Sequence, residues 1–150
     1  MPAAVAPEID AVSLANRLRP VLLHLSRHLR REVHKLGVSA GQVSILAAIC
    51  DRPGIGVADL AAREGTSAPS ITVHIDRLEA AGLVERRRDT EGDRRRVGLR
   101  VTPEGTRVLR AVRSRRTAWL AARLEALTDA QRASIAGAIN SLDALLRQPS

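Results

Sequence analysis

The 150-residue chain almost lacks aromatic side chains, since Trp119 stands alone and neither Phe nor Tyr occurs. A core must therefore be built from aliphatic residues, which suits helix packing, and a small core of this kind often gains stability from a second subunit. Cysteine is almost absent too. Cys50 is the only one, which excludes an intrachain disulfide and indicates a reducing compartment.

Long apolar runs are also missing, as no stretch approaches about 18 uninterrupted apolar residues. This excludes a membrane-spanning segment. The N-terminus lacks a basic segment followed by an apolar run, so it does not resemble a signal peptide; its sequence is MPAAVAPEIDAV. We expect a cytoplasmic protein that does not contact a membrane.

Lysine is scarce, but positive charge is not. Lys35 is the only lysine among 24 basic residues, and the net charge is +8. A basic balance favours a polyanionic partner, and the guanidinium fork suits phosphate and guanine. An arginine-rich surface that is merely solvated, as GC-rich genomes often encode, is the alternative.

Hydrophobic periodicity predicts a mainly helical chain with one small hairpin. Leu18, Leu22, Leu25, Leu29 and Val33 recur at helical spacing and indicate a long first helix, which Pro20 either begins or kinks. Capping boxes open two later helices, and alternation indicates two strands around a polar turn. The predicted later elements are helices at 43–49, 58–63 and 67–81, strands at 83–88 and 97–101, then two helices from 103 and 128.

The middle of the chain has the pattern of a helix-turn-helix. Ala61 supplies a small residue at the helix contact, and Gly65 suits a turn with positive φ. Ile71, Ile75 and Leu78 fall within about 60° on one helix face and would anchor it. The remaining positions offer short polar and apolar groups to base edges or phosphates; the candidate DNA-binding residues there are Ser67, Pro69, Ser70, Thr72, Val73, His74 and Arg77.

Six arginines flank the predicted turn, three before it and three after it. They repel one another in an isolated ribbon, whereas beside a duplex they would neutralise phosphates, and one near the tip would enter a narrow minor groove. We expect Asp93 to restrain a neighbouring arginine or helix residue. The candidate DNA-binding arginines are Arg86, Arg88, Arg94, Arg95 and Arg96.

These motifs resemble the MarR family. The resemblance rests on Leu60-Ala61 to Gly65, Asp76 to Val84, Asp93-Arg94-Arg95 and Thr102 to Gly105. It implies a winged helix-turn-helix at about 39–102, flanked by dimerisation helices at about 9–36 and 103–147. It also implies that Arg95 enters the minor groove and that Asp93 orients it. Val73 departs from the pattern, because many members carry a basic residue there.

The sequence therefore predicts a homodimeric regulator, a repressor, that binds double-stranded DNA at an inverted repeat and is released by a small ligand. By position alone, a ligand pocket would be lined by Arg17, His24, His28 and Cys50. We expect no cofactor, no metal and no enzymatic activity: His24 and His28 are spaced for a metal but lack a third ligand nearby, and no catalytic constellation stands out. A buried, inert Cys50 is the expectation, and the alternatives are redox sensing through Cys50, a protein-assembly module and non-specific architectural DNA binding.

Overall fold

The computed structural model describes residues 9–88 and 96–147. The described elements follow the predicted order of helices, hairpin and terminal helix pair. Their bounds are α1 Ala11–His34, α2 Ala40–Asp51, α3 Val57–Arg63, α4 Ala68–Ala80, β1 Val84–Arg88, β2 Val97–Val101, α5 Pro103–Glu125 and α6 Asp129–Leu146.

Side-chain caps fix where most of the helices begin. Ser39 and Gln42 form the predicted capping box of α2, with bonds of 2.8 and 3.1 Å between each side chain and the other residue's backbone N–H. Thr128 and Gln131 form the second box, before α6. Thr102 caps α5, and Pro103 follows at the first helical position, where a missing N–H costs nothing. The sequence signals for helix starts are confirmed at these three places.

Pro20 lies inside α1, which starts nine residues earlier at Ala11. The side chain of Asp10 caps this start by accepting a hydrogen bond from the Ser13 N–H at 2.9 Å. Of the two alternatives for Pro20, the start of the regular helix is therefore excluded. Asp10 already accepts from a free N–H group of the first turn, so the helix does not need proline as its start signal.

The two strands pair antiparallel, with Val84 opposite Val101 and Arg88 opposite Val97. A third segment joins them, because the Gly54 N–H donates to the Leu99 carbonyl at 2.8 Å and the Leu99 N–H donates to Ile55 at 2.9 Å. The α2–α3 connection is thereby fixed along the outer edge of β2.

The core sits in the middle of the chain. Most of its side chains come from α2, α3, α4 and the strands. The largest side chains with less than 2% exposure are Val33, Leu46, Ile49, Leu60, Ile71, Ile75, Leu78, Val84 and Leu99. In contrast, α6 buries no residue and α1 buries only Val33. Within the described part of the chain, no helix is long and apolar enough to cross a membrane.

Gly105 sits where α5 meets Leu83, the residue just before β1. A Cβ at this position would lie 2.2 Å from the Leu83 carbonyl oxygen, a backbone atom that cannot move aside alone. We therefore expect Gly105→Ala to lower the free energy of unfolding by about 3 kcal/mol, the upper end of overpacking costs. Chemical denaturation followed by circular dichroism at one protein concentration measures this.

Gly41→Ala is the matched control, because Gly41 also lies in a first helical turn. Its Cβ would meet only side-chain atoms at ordinary contact distances of 3.9 and 4.0 Å. This variant should be neutral or more stable by up to about 1 kcal/mol. Equal stability of the two variants would contradict the close approach of α5 to Leu83.

Candidate nucleic-acid interface

α4 is anchored by the three residues that its periodicity predicted. Ile71, Ile75 and Leu78 are 1%, 0% and 0% exposed, and Ala61 is buried on the preceding helix. Gly65, between α3 and α4, has φ of +62°, a conformation that glycine adopts without steric cost. The helix-turn-helix is therefore confirmed in its packing and in its turn.

The opposite face of α4 is open to solvent. Pro69, Ser70, Val73 and Arg77 are exposed, and Val73 keeps 49% of its surface accessible. At 100° per residue these four span about 100° of the helix surface. They form an outward face that carries a hydroxyl, a methyl-rich group and a cation.

Thr72 and His74 lie on the flanks of that face and are half-buried. The Thr72 hydroxyl donates to the Ala68 carbonyl within the same helix at 2.9 Å. His74 turns toward the start of α2, where its Cε1 approaches Gly41, and its Nδ1 is buried without a hydrogen-bond partner among the described residues. Both are thus less available than the four outward residues.

Ser67 caps the start of α4 and is tied to Ser70. Its hydroxyl oxygen accepts from the Ser70 N–H at 3.3 Å and its hydroxyl contacts Ser70 Oγ at 2.9 Å. The two hydroxyls form a fixed polar pair at the N-terminal end of the helix. This end also carries the positive pole of the helix dipole.

Arg86 connects the hairpin to α4. Its guanidinium donates to Asp76 Oδ1 at 2.6 Å and to Glu79 Oε2, so two carboxylates of one helix hold one strand residue. The hydrogen bond that Arg86 donates to Asp76, together with the charge of Glu79, raises the pKa of Arg86 above its usual value. Sequence reasoning grouped Arg86 with the DNA-binding arginines and missed this contact, although Asp76 and Glu79 stand on one helix face at i, i+3.

The other hairpin arginines that were predicted to bind DNA divide into two groups. Arg88 and Arg96 are exposed at the ends of the two strands, beside the predicted turn. Asp93, Arg94 and Arg95 lie outside the described residues, so their predicted roles stay predictions.

Comparison with known proteins identifies the family that has this architecture. Residues 38–97 match the MarR family model. An HTH-type transcriptional regulator of Mycobacterium tuberculosis is 32% identical over 133 residues, which cover 89% of this chain and 92% of that protein. The chain belongs to the MarR family. The resemblance that its motifs indicated is thereby confirmed.

Two further relatives add to the comparison. The HTH-type transcriptional repressor MdtR of Bacillus subtilis is 28% identical to the chain, over 81% of its length and 74% of the repressor's. A mutant of MepR from Staphylococcus aureus, solved bound to an oligodeoxyribonucleotide, superposes with a TM-score of 0.70 and 16% identity, covering 89% of this chain and 98% of that one. At that identity the likeness shows the fold alone, a winged helix of the MarR type.

Of the four residues predicted to line a ligand pocket in this MarR-family chain, three lie on α1. Arg17 and His24 are exposed, whereas His28 is half-buried. The His28 ring stacks on Trp119 of α5, with 5.3 Å between the ring centroids. The Cζ atom of Arg123 lies over the Trp119 ring, 3.6 Å from its centroid. In the described part of the chain, no group of three or more His, Cys, Asp or Glu is placed to hold a metal ion.

The expectation that Cys50 is buried is wrong, because its side chain is exposed. It lies one residue before the end of α2 at Asp51. The apolar run predicted burial, but the core that covers Ala48 and Ile49 does not extend around the helix to Cys50. An apolar sequence pattern does not reveal where the packing partner ends.

The Arg86 contact predicts a specific loss of stability. Arg86→Gln leaves Asp76 and Glu79 as neighbouring carboxylates without their shared cation, so we expect unfolding to become easier by about 1–2 kcal/mol. Arg87→Gln is the control: Arg87 is exposed and pairs only with Glu85 of its own strand among the described residues, so the change should stay within about 0.5 kcal/mol. Urea denaturation of the two variants measures both losses of stability. Equal losses would argue against a contact between the strand and the helix.

Proposed function

We propose that the chain is a homodimeric, sequence-specific DNA-binding regulator that represses transcription. The observation that carries this proposal is the division of α4 into a buried inner face and an exposed outer face, beside an arginine-rich hairpin. Its membership of a family of transcription regulators, one of them named a repressor, supports it. We place the protein in the cytoplasm and assign it no catalytic role.

In this proposal α4 enters the major groove. Ser70 and Arg77 would form hydrogen bonds with base edges or phosphates, and Val73 would meet a thymine methyl group. The start of α4 at Ser67 and Pro69 would approach a phosphate, with Thr72 and His74 at the edges of the interface. Arg86 would act indirectly, by holding the hairpin against the helix.

The hairpin would contact the DNA backbone and the minor groove. Arg88, Arg94 and Arg96 would neutralise phosphates, and Arg95, oriented by Asp93, would enter the minor groove, where the potential is most negative. The mutant MepR was solved with an oligodeoxyribonucleotide, and the shared fold allows the same approach here.

A second copy of the chain would cover the terminal helices. α1, the segment just before it and α6 expose a series of large apolar side chains, far more than the middle of the chain does; those more than 50% exposed are Ile9, Val12, Val21, Leu23, Ile139, Leu145 and Leu146. A large amount of exposed apolar surface marks an interface in soluble proteins. Pairing by two-fold symmetry would place two α4 helices on one duplex, with half-sites about 10–10.5 base pairs apart.

Release would follow from a small ligand that prefers a dimer with a different spacing of the two α4 helices. The residues Arg17, His24, His28 and Cys50 stay the proposed lining of that pocket. The two cavities described in the monomer are lined by other residues, so this pocket would need the partner subunit to close it.

The first experiment selects genomic fragments at about 150 mM salt, where non-specific phosphate binding is weak. We expect an inverted repeat that binds the chain at least about a thousandfold more tightly than shuffled DNA of the same composition. Arg77→Ala should weaken this binding by about 1–3 kcal/mol. Arg147→Ala removes the same charge from an exposed position after α6 and should change affinity little.

Equal binding to the repeat and to its shuffled copy, with a steep salt dependence, would indicate an architectural DNA-binding protein instead. Absence of binding to both would favour a protein-assembly module. Equal losses in the two arginine variants would mean that charge alone drives binding.

The dimer makes a separate prediction. Ile139 is 57% exposed in the monomer, and Ile139→Asp would place a charge in the proposed interface, which is unfavourable when buried unpaired. Sedimentation at micromolar concentration should show dimers of the unaltered chain and monomers of this variant. Val73→Asp, a similarly exposed apolar position on α4, should stay dimeric, and a dimeric Ile139→Asp would place the interface elsewhere.

A further inference from the structure

A basic groove lies between the hairpin and the loop that joins α2 to α3. Its cavity measures about 740 Å³, and its walls are formed by the loop from Pro53 to Gly56, Asp59 at the start of α3, and strand residues. Four arginines line it, three on the strands and one just before β2: Arg87, Arg88, Arg100 and Arg96. Neither the periodicity nor the family resemblance singled out this groove.

The groove opens on the sheet face that points away from α4. Side chains alternate along a strand, and Arg86, which contacts α4, shares its face with the buried Val84. Arg87 therefore points to the opposite side. Arg100 pairs in register with Glu85 and belongs to that same outer face.

A close backbone crossing forms the floor of the groove. A Cβ at Gly98 would lie 2.7 Å from the Gly54 carbonyl oxygen, so only glycine lets the α2–α3 loop pass here. The loop is held by the hydrogen bonds of Gly54 and Ile55 to Leu99. A ligand in this groove would thus meet a fixed floor, with the flexible arginines around it.

Among the described residues, the charges of the groove do not cancel. Asp59 is the only carboxylate in the described part of its wall, and Glu85, beside the groove, forms an ion pair with Arg87 at 2.7 Å. Two carboxylates thus face four guanidiniums. Arg100 takes part in no ion pair among the described residues. Arginines that outnumber the carboxylates around them favour a ligand with several anionic oxygens, and phosphate matches the guanidinium fork.

We propose that this groove binds phosphate groups, with Arg87 and Arg100 as the principal ligands. Arg88 and Arg96 would contribute from the side of the turn. The phosphates would come either from the DNA backbone beyond the half-site or from a free phosphorylated molecule. Phosphate binding in the groove does not depend on the proposed recognition of DNA by α4.

The direct test titrates inorganic pyrophosphate into the full chain, without DNA, at low ionic strength, and measures heat by calorimetry. We expect saturable binding at one site per chain. The double variant Arg87→Gln with Arg100→Gln should weaken it at least about tenfold, because each charge-assisted hydrogen bond is worth about that factor. Arg110→Gln with Arg113→Gln removes the same charge from exposed positions on α5 and should leave binding unchanged.

A second measurement identifies the source of the phosphates. Two duplexes carry the same selected site, one ending at the half-sites and one extended by about ten base pairs on each side. If DNA supplies the phosphates, the groove variant loses affinity for the longer duplex only, and the salt slope falls by about two per subunit. If a free molecule supplies them, the variant binds both duplexes as the unaltered chain does.

The proposal would be overturned by absence of saturable pyrophosphate binding together with unchanged binding of the longer duplex. Equal weakening in the groove variant and in the α5 variant would overturn it as well, since binding would then follow net charge. Failure of every duplex to bind would contradict the proposed regulator. The pyrophosphate titration would still decide the groove.

Discussion

Burial of the inner face of α4 is the interaction on which the rest of the structure depends. Ile71, Ile75 and Leu78 enter an aliphatic core that also contains Leu60 of α3 and Leu99 of β2. Each such side chain contributes about 1.5–3 kcal/mol by leaving water. With no Phe or Tyr in the chain, these branched side chains must fill the space themselves, and their positions fix which side of α4 is left outside.

The charges are arranged around this packing. Asp76 and Glu79 extend from α4 beside its outer face and would oppose a polyanion if they stood alone. Arg86 pairs with both carboxylates and offsets one of their two charges, so the contact that joins the helix to the hairpin also lowers the negative charge beside the outer face. Arginines placed further along the strands stay exposed. Arg86 thus stabilises the fold, whereas the neighbouring exposed arginines are available to bind a ligand.

The sequence was sufficient for the features that depend on local spacing. Helix faces, caps and the glycine turn at Gly65 follow from periods of 3.6 and 2 and from side chains three positions apart. It was insufficient for contacts between elements, as Arg86 and His74 show. The destination of a long or flanking side chain depends on which helix lies opposite, and the exposure of Cys50 depends on where the core ends. A local sequence pattern contains neither the position of the opposite helix nor the edge of the core.

The single tryptophan shows how unevenly the chain is stabilised. Trp119 lies between His28 and Arg123, and Glu32 pairs with Arg115 at 3.3 Å, so α1 and α5 are joined at their facing sides. In contrast to α1 and α5, α6 has no buried residue. An amphipathic helix with nothing to cover its apolar stripe gains little from propensity alone. In the proposed dimer, folding of the chain ends would therefore be tied to association, whereas the middle of the chain carries its own core. α5 packs on α1 and on α2, and α2 contacts α4, so a change at the ends would reach α4 through α5 and α2.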